Sequence, residues 1–215
     1  MAGRPSRKET ESEGRERLLA AAVKLFAAKG YAATSVRDIL KAAKVTAPVL
    51  YYHFGSKEGL FVGLLREGLE TFEAEVKKAL GEATTAAEKV SAYCRVHVTV
   101  QRRFADHRRI AEAVITGPPK AAPPFDIKGT FAGIVQQLAD LVGAAVESGE
   151  FRPCDPITAA LALLGAVEMT VRTRLIEGRF PALADADGGV LGFVLDGLRA
   201  GRSPSSRTRR GSTRM

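Results

Sequence analysis

Apolar residues recur every three or four positions along almost the whole chain, and no segment alternates convincingly between apolar and polar residues. The first pattern places apolar side chains on one face of an α-helix, whereas a half-buried strand needs the second. Segments rich in proline or glycine at 116–124 and 148–156 interrupt the pattern. The sequence therefore predicts an all-α protein of about nine helices, beginning near residues 15, 35, 47, 56, 84, 106, 125, 156 and 187.

Composition narrows the class of protein. Hydrophobic residues make up 46% of the chain, which is typical of a folded protein. No apolar run approaches the roughly 18 residues of a membrane span, and the polar N-terminus shows no secretory signal. We therefore expect a cytoplasmic protein.

The cysteines give no sign of a metal site. Cys94 and Cys154 match no metal spacing. Cys94 and His97 lie one turn apart, but a packed thiol and a hydrogen-bonded histidine are favoured over a metal site. We expect no metal and no cofactor.

Positive charge is concentrated at the two ends of the chain. Residues 1–60 carry 11 Lys/Arg and 6 Asp/Glu, residues 61–198 carry 15 and 18, and residues 199–215 carry 6 and none. This segregation favours a polyanionic partner for the N-terminal part. The basic segment 201–215 is predicted to be disordered and either adds nonspecific DNA affinity or is a solubilising tail or cloning remnant.

The segment 34–57 has the order of parts of a helix-turn-helix. Ser35 is placed to cap a short helix with Asp38 as the third residue of a capping box. Thr46 is placed to cap the next helix, with Pro48 in its first turn, and Ser56 to cap a longer one. The predicted small core is Phe26, Ile39, Ala42, Val45, Leu50 and Phe54. A helix-turn-helix places its second helix in the DNA major groove.

In this segment the chain closely resembles the TetR family of bacterial transcriptional regulators. The matching pieces are Thr34–Ile39, Ala42–Val45, Leu50–Phe54 and Lys57–Phe61, in the family's order and spacing. The resemblance covers about 15–62, and beyond it is only architectural. It implies a helix-turn-helix DNA-binding domain followed by a larger helical domain that binds a ligand and dimerises. The expected division is 1–14, a flexible arm; 15–60, the DNA-binding domain; 61–200, the body; and 201–215, the tail.

The DNA-contacting residues follow from side-chain chemistry and from this resemblance. Lys57 resembles the family's phosphate clamp, and other side chains can donate hydrogen bonds to phosphates. His53 is alternatively a structural cap, and Tyr51 alternatively a core residue. The full set of expected contacts is Thr34, Ser35, Arg37, Thr46, Ala47, Pro48, Val49, Tyr51, Tyr52, His53 and Lys57, with Ala47, Pro48, Val49 and Tyr51 facing the groove. An arm around Gly3-Arg4-Pro5 either enters the minor groove or, as we favour, stays solvated.

Two positions depart from the family pattern. Lys44 stands where the family usually has glycine, so a left-handed turn there would cost about 1 kcal/mol. The start of the recognition helix, Thr46 to Val49, carries no Arg, Asn or Gln for bidentate base contacts. We therefore expect base discrimination to rest on thymine methyls, on Thr46 and Tyr51, and on DNA shape.

The remaining helices carry two sets of expected residues. A dimer interface, as in the family, is expected at Ile157, Leu161, Leu164, Val171, Val190, Val194 and Leu198; the alternative is packing within one chain. A ligand pocket is expected among Tyr93, His97, Phe104, Ile115, Phe125, Phe131, Val135, Leu138 and Met169, although such a face is more often plain core. Arginines at 102, 103, 108 and 109 either attract an anion or, as we favour, form a solvated charged face.

The most favoured function is a homodimeric, sequence-specific regulator of transcription. We expect it to be a repressor that a small-molecule effector releases from an inverted-repeat operator in double-stranded DNA. A ligand-independent architectural DNA-binding protein is the alternative. An enzyme is disfavoured because the common metal, nucleotide and nucleophile motifs do not occur in the sequence.

Overall fold

The structure is a computed structural model, and it describes residues 7–117, 122–172 and 189–199. These ranges contain nine α-helices and no strand, so the all-α prediction is confirmed. One isolated bridge pairs Phe151 with Arg199. The helices are α1 Arg7–Lys29, α2 Val36–Ala43, α3 Ala47–Phe54, α4 Lys57–Glu82, α5 Ala86–Arg103, α6 Ala105–Thr116, α7 Ile127–Glu147, α8 Pro156–Arg172 and α9 Val190–Leu198. The expected tail 201–215 and the end of the helix expected to reach 178 lie outside the described residues.

Local capping signals set the ends of the N-terminal helices. Ser35 and Asp38 form the complete capping box of α2, and Ser56 accepts a hydrogen bond from the Gly59 amide at the start of α4. Thr46 occupies the N-cap position of α3, but its hydroxyl makes no capping bond. Lys44 ends α2 with φ of 53°, in the left-handed region. The predicted left-handed turn residue is therefore confirmed.

The first helix differs from the prediction. α1 begins at Arg7 rather than near residue 15, so residues 7–14, expected as part of a flexible arm, are helical. Gly14 is buried within this extension, and a Cβ atom there would lie only 3.1 Å from Val49 Cγ1. A glycine therefore allows α1 to approach α3 closely. The apolar periodicity could not indicate this part of α1, because its sequence is mostly polar.

Two hydrophobic clusters form the interior. The N-terminal cluster joins α1, α2, α3 and the first half of α4, and it includes Phe26, Ile39, Leu50 and Ile110. The expected Ala42 is exposed, and Ala43 is buried in its place. The body cluster joins the rest of α4 with α5, α7, α8 and α9. Ile110 is the exception to a division by chain order, since it belongs to α6 yet packs in the N-terminal cluster.

The body is held together by helix packing and by one long-range cap. Glu150, in the turn after α7, accepts hydrogen bonds from the Ala86 and Ala87 amides at the start of α5, at 3.1 Å each. The hydrogen bond from the Thr85 side chain, together with those from the Ala87 amide, the Ser148 hydroxyl and the Ala86 amide, holds the pKa of Glu150 below its usual value. α7 is long and apolar enough to cross a membrane by length and composition. In this fold it packs against α5 and α8 and buries Leu138 and Val142.

Candidate nucleic-acid interface and apolar cavity

The short helix α3 is anchored by one side and exposed on the other. Leu50 is fully buried in the N-terminal cluster, whereas Tyr51 and Tyr52 are 53% and 74% exposed. Thr46 and Pro48, at the start of the helix, are also exposed. The half-exposed Tyr51 rules out a purely core role for that side chain. The helix is therefore fixed on the buried cluster, and its N-terminal turn is exposed to solvent. A recognition helix needs this arrangement to place its first residues against base edges in the major groove.

Two expected phosphate contacts are used inside the protein. Thr34 is buried, and its hydroxyl donates to the Gly30 carbonyl at 2.8 Å, so the expected phosphate bond from this hydroxyl is corrected. The Lys57 ammonium donates to the carbonyls of Thr34 at 2.8 Å and Tyr31 at 3.0 Å, and it lies 4.0 Å from the centre of the Tyr31 ring. Lys57 therefore ties the start of α4 to the loop between α1 and α2. An ammonium has three hydrogens, so one remains for a phosphate.

For two further side chains of α3, the structure changes the expected role of Val49 and argues against the capping alternative for His53. Val49 is half-buried against the N-terminal cluster and meets α1 near Gly14, so we correct its placement on the groove-facing surface. His53 packs its ring against Tyr52 at 4.9 Å and Phe54 at 6.1 Å. The backbone cap of α3 comes from the Gly55 amide, which donates to the Tyr51 carbonyl. His53 is therefore not the cap of this helix.

The exposed cations around the turn extend the interface beyond the expected set. Arg37 of α2 is exposed, as expected, and so are Lys41 and Lys44, which the sequence reasoning did not assign to DNA. Their position inside the helix-turn-helix segment was the signal that could have found them. Lys29 is partly neutralised by Asp38 at 3.4 Å. The Ser35 amide and hydroxyl and the Lys29 charge hold the pKa of Asp38 below its usual value.

An apolar cavity of about 260 Å³ lies in the body between α4, α5, α6 and α7. An adjoining cleft of about 520 Å³ extends from it towards α8. The expected pocket residues His97, Phe104, Ile115, Phe125 and Phe131 all line the cavity. The two openings share His97, Gln101 and Arg108 among their lining residues. Gln101 was not expected here, and only its position one turn after His97 could have suggested it. Arg108 was considered only as part of an arginine cluster that attracts an anion.

Four of the expected pocket residues lie elsewhere. Tyr93 and Leu138 are fully buried in the body cluster, and Val135 packs against that cluster. Met169 is 50% exposed on α8. These four positions are corrected because helical spacing alone does not distinguish a cavity wall from a filled core.

The Cys94 thiol is buried in the body cluster. Burial raises the pKa of this thiol to about 12, so it packs as a neutral side chain.

The arginine cluster is divided among several acidic partners. Arg108 contacts Glu112 at 3.4 Å and Glu168 at 3.6 Å, and Arg172 contacts the same two carboxylates. Arg103 contacts Glu75 at 3.6 Å, and Arg109 contacts Asp106 at 3.5 Å. The Arg102 guanidinium donates to the Thr170 carbonyl. The charged-face interpretation therefore fits this structure better than a shared anion site.

The outer surface of α8 and α9 carries an apolar stripe. Its members are side chains that extend into solvent although they are apolar, and they are Ile157, Leu161, Met169 and Phe193. The expected interface residues only partly match: Leu164 and Leu198 are buried, and Val171, Val190 and Val194 pack on the body cluster. Leu164 and Leu198 are therefore corrected, whereas an interface role for the three half-buried valines stays a prediction. α9 is apolar nearly all round, so its sequence could not show which face turns outward.

The anchored helix-turn-helix, joined to a helical body with an open apolar cavity, is the architecture of a helix-turn-helix DNA-binding protein. Residues 18–64 match the family model described as bacterial regulatory proteins, tetR family. The regulator RutR of Escherichia coli K12 is 26% identical over 151 residues, covering 70% of each chain. The structure of a putative fatty acid metabolism regulator from Clostridium perfringens matches with a TM-score of 0.71 at 20% identity, covering 85% of this chain and 98% of that one.

A second solved structure, that of AibR in complex with isovaleryl coenzyme A and operator DNA, matches with a TM-score of 0.60. It is 24% identical and covers 74% of this chain and 86% of that one. At these identities the solved structures establish the fold alone. The family model and the similarity to RutR place the chain in the TetR family of bacterial transcriptional regulators.

Proposed function

We propose that this protein is a homodimeric repressor that binds an inverted repeat and is released from it by a small molecule bound in the cavity. The observation that carries the proposal is that two side chains line the cavity and also contact the N-terminal cluster beneath α3. Leu65 and Phe125 line the cavity and also belong to, or pack against, the N-terminal cluster that seats α3. A regulator of this kind acts in the cytoplasm, where the chromosome lies.

The proposed DNA contacts divide by position. The base contacts come from the exposed side of α3, namely Thr46, Ala47, Pro48 and Tyr51. The Thr46 hydroxyl makes no capping hydrogen bond to α3, so it is free to bond to a base. The phosphate contacts come from side chains around this helix, namely Ser35, Arg37, Tyr52, His53, Lys57 and additionally Lys41 and Lys44. Phosphate contacts position a protein on DNA, and base contacts specify the sequence.

Dimerisation through the apolar stripe supports this function. One short recognition helix reads few bases, so useful affinity and specificity need a second copy. A two-fold dimer places two such helices on an inverted repeat when they lie roughly 34–36 Å apart, or a multiple of that. Ile157, Leu161, Met169 and Phe193 are the side chains that such an interface would remove from water. We propose them as its centre, in place of the buried residues of the original expectation.

Helix α6 supplies the proposed route between effector and DNA. Its Ile110 is buried in the N-terminal cluster, while Arg108, Ala111 and Ile115 of the same helix line the cavity. A ligand that displaces α6 therefore also displaces residues that pack against α1. It can release DNA only to the extent that it binds the released arrangement more tightly than the DNA-bound one.

Selection of bound DNA from a random pool with the full chain tests the function. We expect an inverted repeat that is protected on one face of the duplex and retained against nonspecific competitor. Arg37→Met should weaken this binding, and removing a phosphate contact should lower the salt dependence by about one unit of slope. Arg103→Met removes an exposed charge from α5, away from the helix-turn-helix, and is the control. Salt-sensitive binding without any selected sequence would instead identify an architectural protein.

Base reading by apolar contact has a test of its own. Replacing thymine by uracil in the selected operator removes the methyl groups without changing base pairing. We expect weaker binding for at least one thymine opposite Pro48 or Tyr51 in each half-site. Unchanged affinity for every replacement would contradict the thymine-methyl component of the proposal.

A further inference from the structure

The cavity is mainly apolar, and three of its polar residues also line the outer cleft. Phe72, Phe104 and Phe131 are among the side chains that form its walls. The polar residues common to the cavity and the cleft are His97, Gln101 and Arg108. His97 and Gln101 lie one turn apart on α5, and Arg108 reaches the same junction from α6. Three polar side chains of the cavity therefore lie where it adjoins the cleft, whereas His107 and Thr130 line the cavity alone.

Each of these three side chains carries a buried polar atom without a hydrogen-bond partner within the described ranges. The atoms are His97 Nδ1, Gln101 Oε1 and Arg108 Nε. Leaving a buried donor or acceptor unpaired is costly, so proteins rarely do it without a functional reason. Arg102 Nε is a fourth such atom, but Arg102 lines neither opening. The other three belong to residues that line both the cavity and the cleft.

The charges at this junction balance. Arg108 and Arg172 both contact Glu112 and Glu168, so two guanidinium groups face two carboxylates. Burial lowers the pKa of His97 to about 4, against the opposing influence of Glu168, so its imidazole is neutral near pH 7. His107, which also lines the cavity, has its pKa lowered by burial as well. The site therefore offers polar atoms without an unneutralised positive charge.

We infer that the effector is an uncharged, mainly apolar molecule whose head group carries both a hydrogen-bond donor and an acceptor, such as a hydroxyl or a carboxamide. The donor meets Gln101 Oε1, and the acceptor meets the Arg108 Nε–H. His97 Nδ1 accepts or donates according to its tautomer. A carboxylate offers only acceptors, so it leaves Gln101 Oε1 unpaired and lies beside Glu168. The inference rests on the proposed function, which makes this cavity the effector site.

Four probes that share one apolar body test the head-group chemistry. They are 4-propylbenzyl alcohol, 4-propylbenzamide, 4-propylbenzoate and propylbenzene, titrated calorimetrically into the full chain without DNA at pH 7. We expect the alcohol and the amide to bind at least about tenfold more tightly than the benzoate and propylbenzene, since each satisfies buried polar atoms that the others leave unpaired. Equal or tighter binding of the benzoate overturns the inference, as does the absence of saturable binding by both neutral polar probes.

A matched pair of variants locates the head group. Gln101→Leu removes the acceptor at nearly constant volume and should weaken the alcohol and amide by about tenfold while leaving propylbenzene unchanged. Gln137→Leu makes the same change on the exposed surface of α7 and should change none of the affinities. Gln101→Met serves as a second variant if the leucine variant does not fold. Unchanged probe selectivity in a folded Gln101 variant contradicts the assignment.

The DNA complex separates this inference from the proposed function. If the alcohol or amide binds with the expected selectivity but leaves operator affinity unchanged, the ligand class stands and effector-driven release fails. If the benzoate both binds more tightly and releases DNA, the release mechanism stands and the neutral head group is wrong. The two proposals therefore fail under different observations.

Discussion

The N-terminal cluster and the body cluster differ in how they treat polar groups. Around α2 and α3, the Thr34 hydroxyl, the Ser35 and Asp38 capping box and the Lys57 ammonium all have protein partners. In the body, His97, Gln101 and Arg108 keep buried atoms unpaired. A fully satisfied platform holds a recognition helix in one orientation. Unpaired polar groups beside a cavity instead allow a bound ligand to make the hydrogen bonds that the protein itself does not make.

The largest expected effect breaks the platform itself. Leu50→Ala removes a fully buried side chain from beneath α3 and should cost about 3 kcal/mol of unfolding free energy, because little around it can collapse into the space. Urea unfolding and operator binding measure the two consequences, and we expect DNA binding to fall with stability. A loss below about 1 kcal/mol would show that the cluster repacks and is not a rigid seat.

The next prediction concerns the unsatisfied histidine of the body. The His97 pKa is lowered from 6.5 to about 4 by burial, so between these values the unfolded chain binds more protons than the folded one. Stability is therefore fully present above pH 6.5 and is lost as the pH falls towards 4, by up to about 3 kcal/mol. Thermal unfolding of the wild type and His97→Gln between pH 7 and pH 5 measures this.

The variant supplies the control for this pH dependence. His97→Gln has no group that titrates at that position, so its stability should change less over the same pH interval. The interval from pH 7 to pH 5 lies above the usual range of carboxyl groups, including Glu150 and Asp38 with their lowered pKa values. Parallel pH profiles for the two proteins would contradict a buried neutral histidine.

A smaller effect tests the internal role of Lys57. Lys57→Met keeps the apolar stem over Tyr31 but removes the ammonium that binds the Tyr31 and Thr34 carbonyls. We expect a loss of about 1–2 kcal/mol in unfolding free energy, because hydrogen bonds from a charged donor are lost at a part-buried site. Lys41→Met, an exposed charge on α2, should change stability by less than about 0.5 kcal/mol. Equal effects would show that Lys57 serves only as a surface charge.

The smallest expected effect is at the turn between α2 and α3, and there the substitution raises the unfolding free energy instead of lowering it. Lys44→Gly should raise the unfolding free energy by about 1 kcal/mol, because Lys44 has a left-handed backbone that disfavours a side chain. Lys41→Gly, inside α2, should lower it by a similar amount. A melting temperature that is unchanged or lower for Lys44→Gly would show that the lysine contributes more than its backbone costs. DNA affinity should fall modestly if Lys44 contacts phosphate.

Much of the fold and of the helix-turn-helix could be predicted, because their signals are local. The Ser35–Asp38 capping box, the Lys44 turn and the N-cap positions of α3 and α4 depend on residues a few positions apart. The cavity was predicted only in part, since His97 and Phe131 carry the same helical spacing as the fully buried Tyr93 and Leu138. Spacing identifies a face of a helix, but it does not show whether a neighbour fills the space beside it.

The sequence by itself determined the helices, the helix-turn-helix, the family and the left-handed Lys44, because backbone preferences and caps act over one or two turns. Only the tertiary structure decided that Thr34 is buried and that Lys57 is bound to carbonyls. It also decided that Val190 and Val194 of α9 face inward while Phe193 faces solvent. Finally, it brought His97, Gln101 and Arg108 to the lining of one cleft. These facts depend on which helix lies beside which. That is settled by packing among residues distant in the chain, where α9 offers apolar side chains on every side and periodicity alone has no preference.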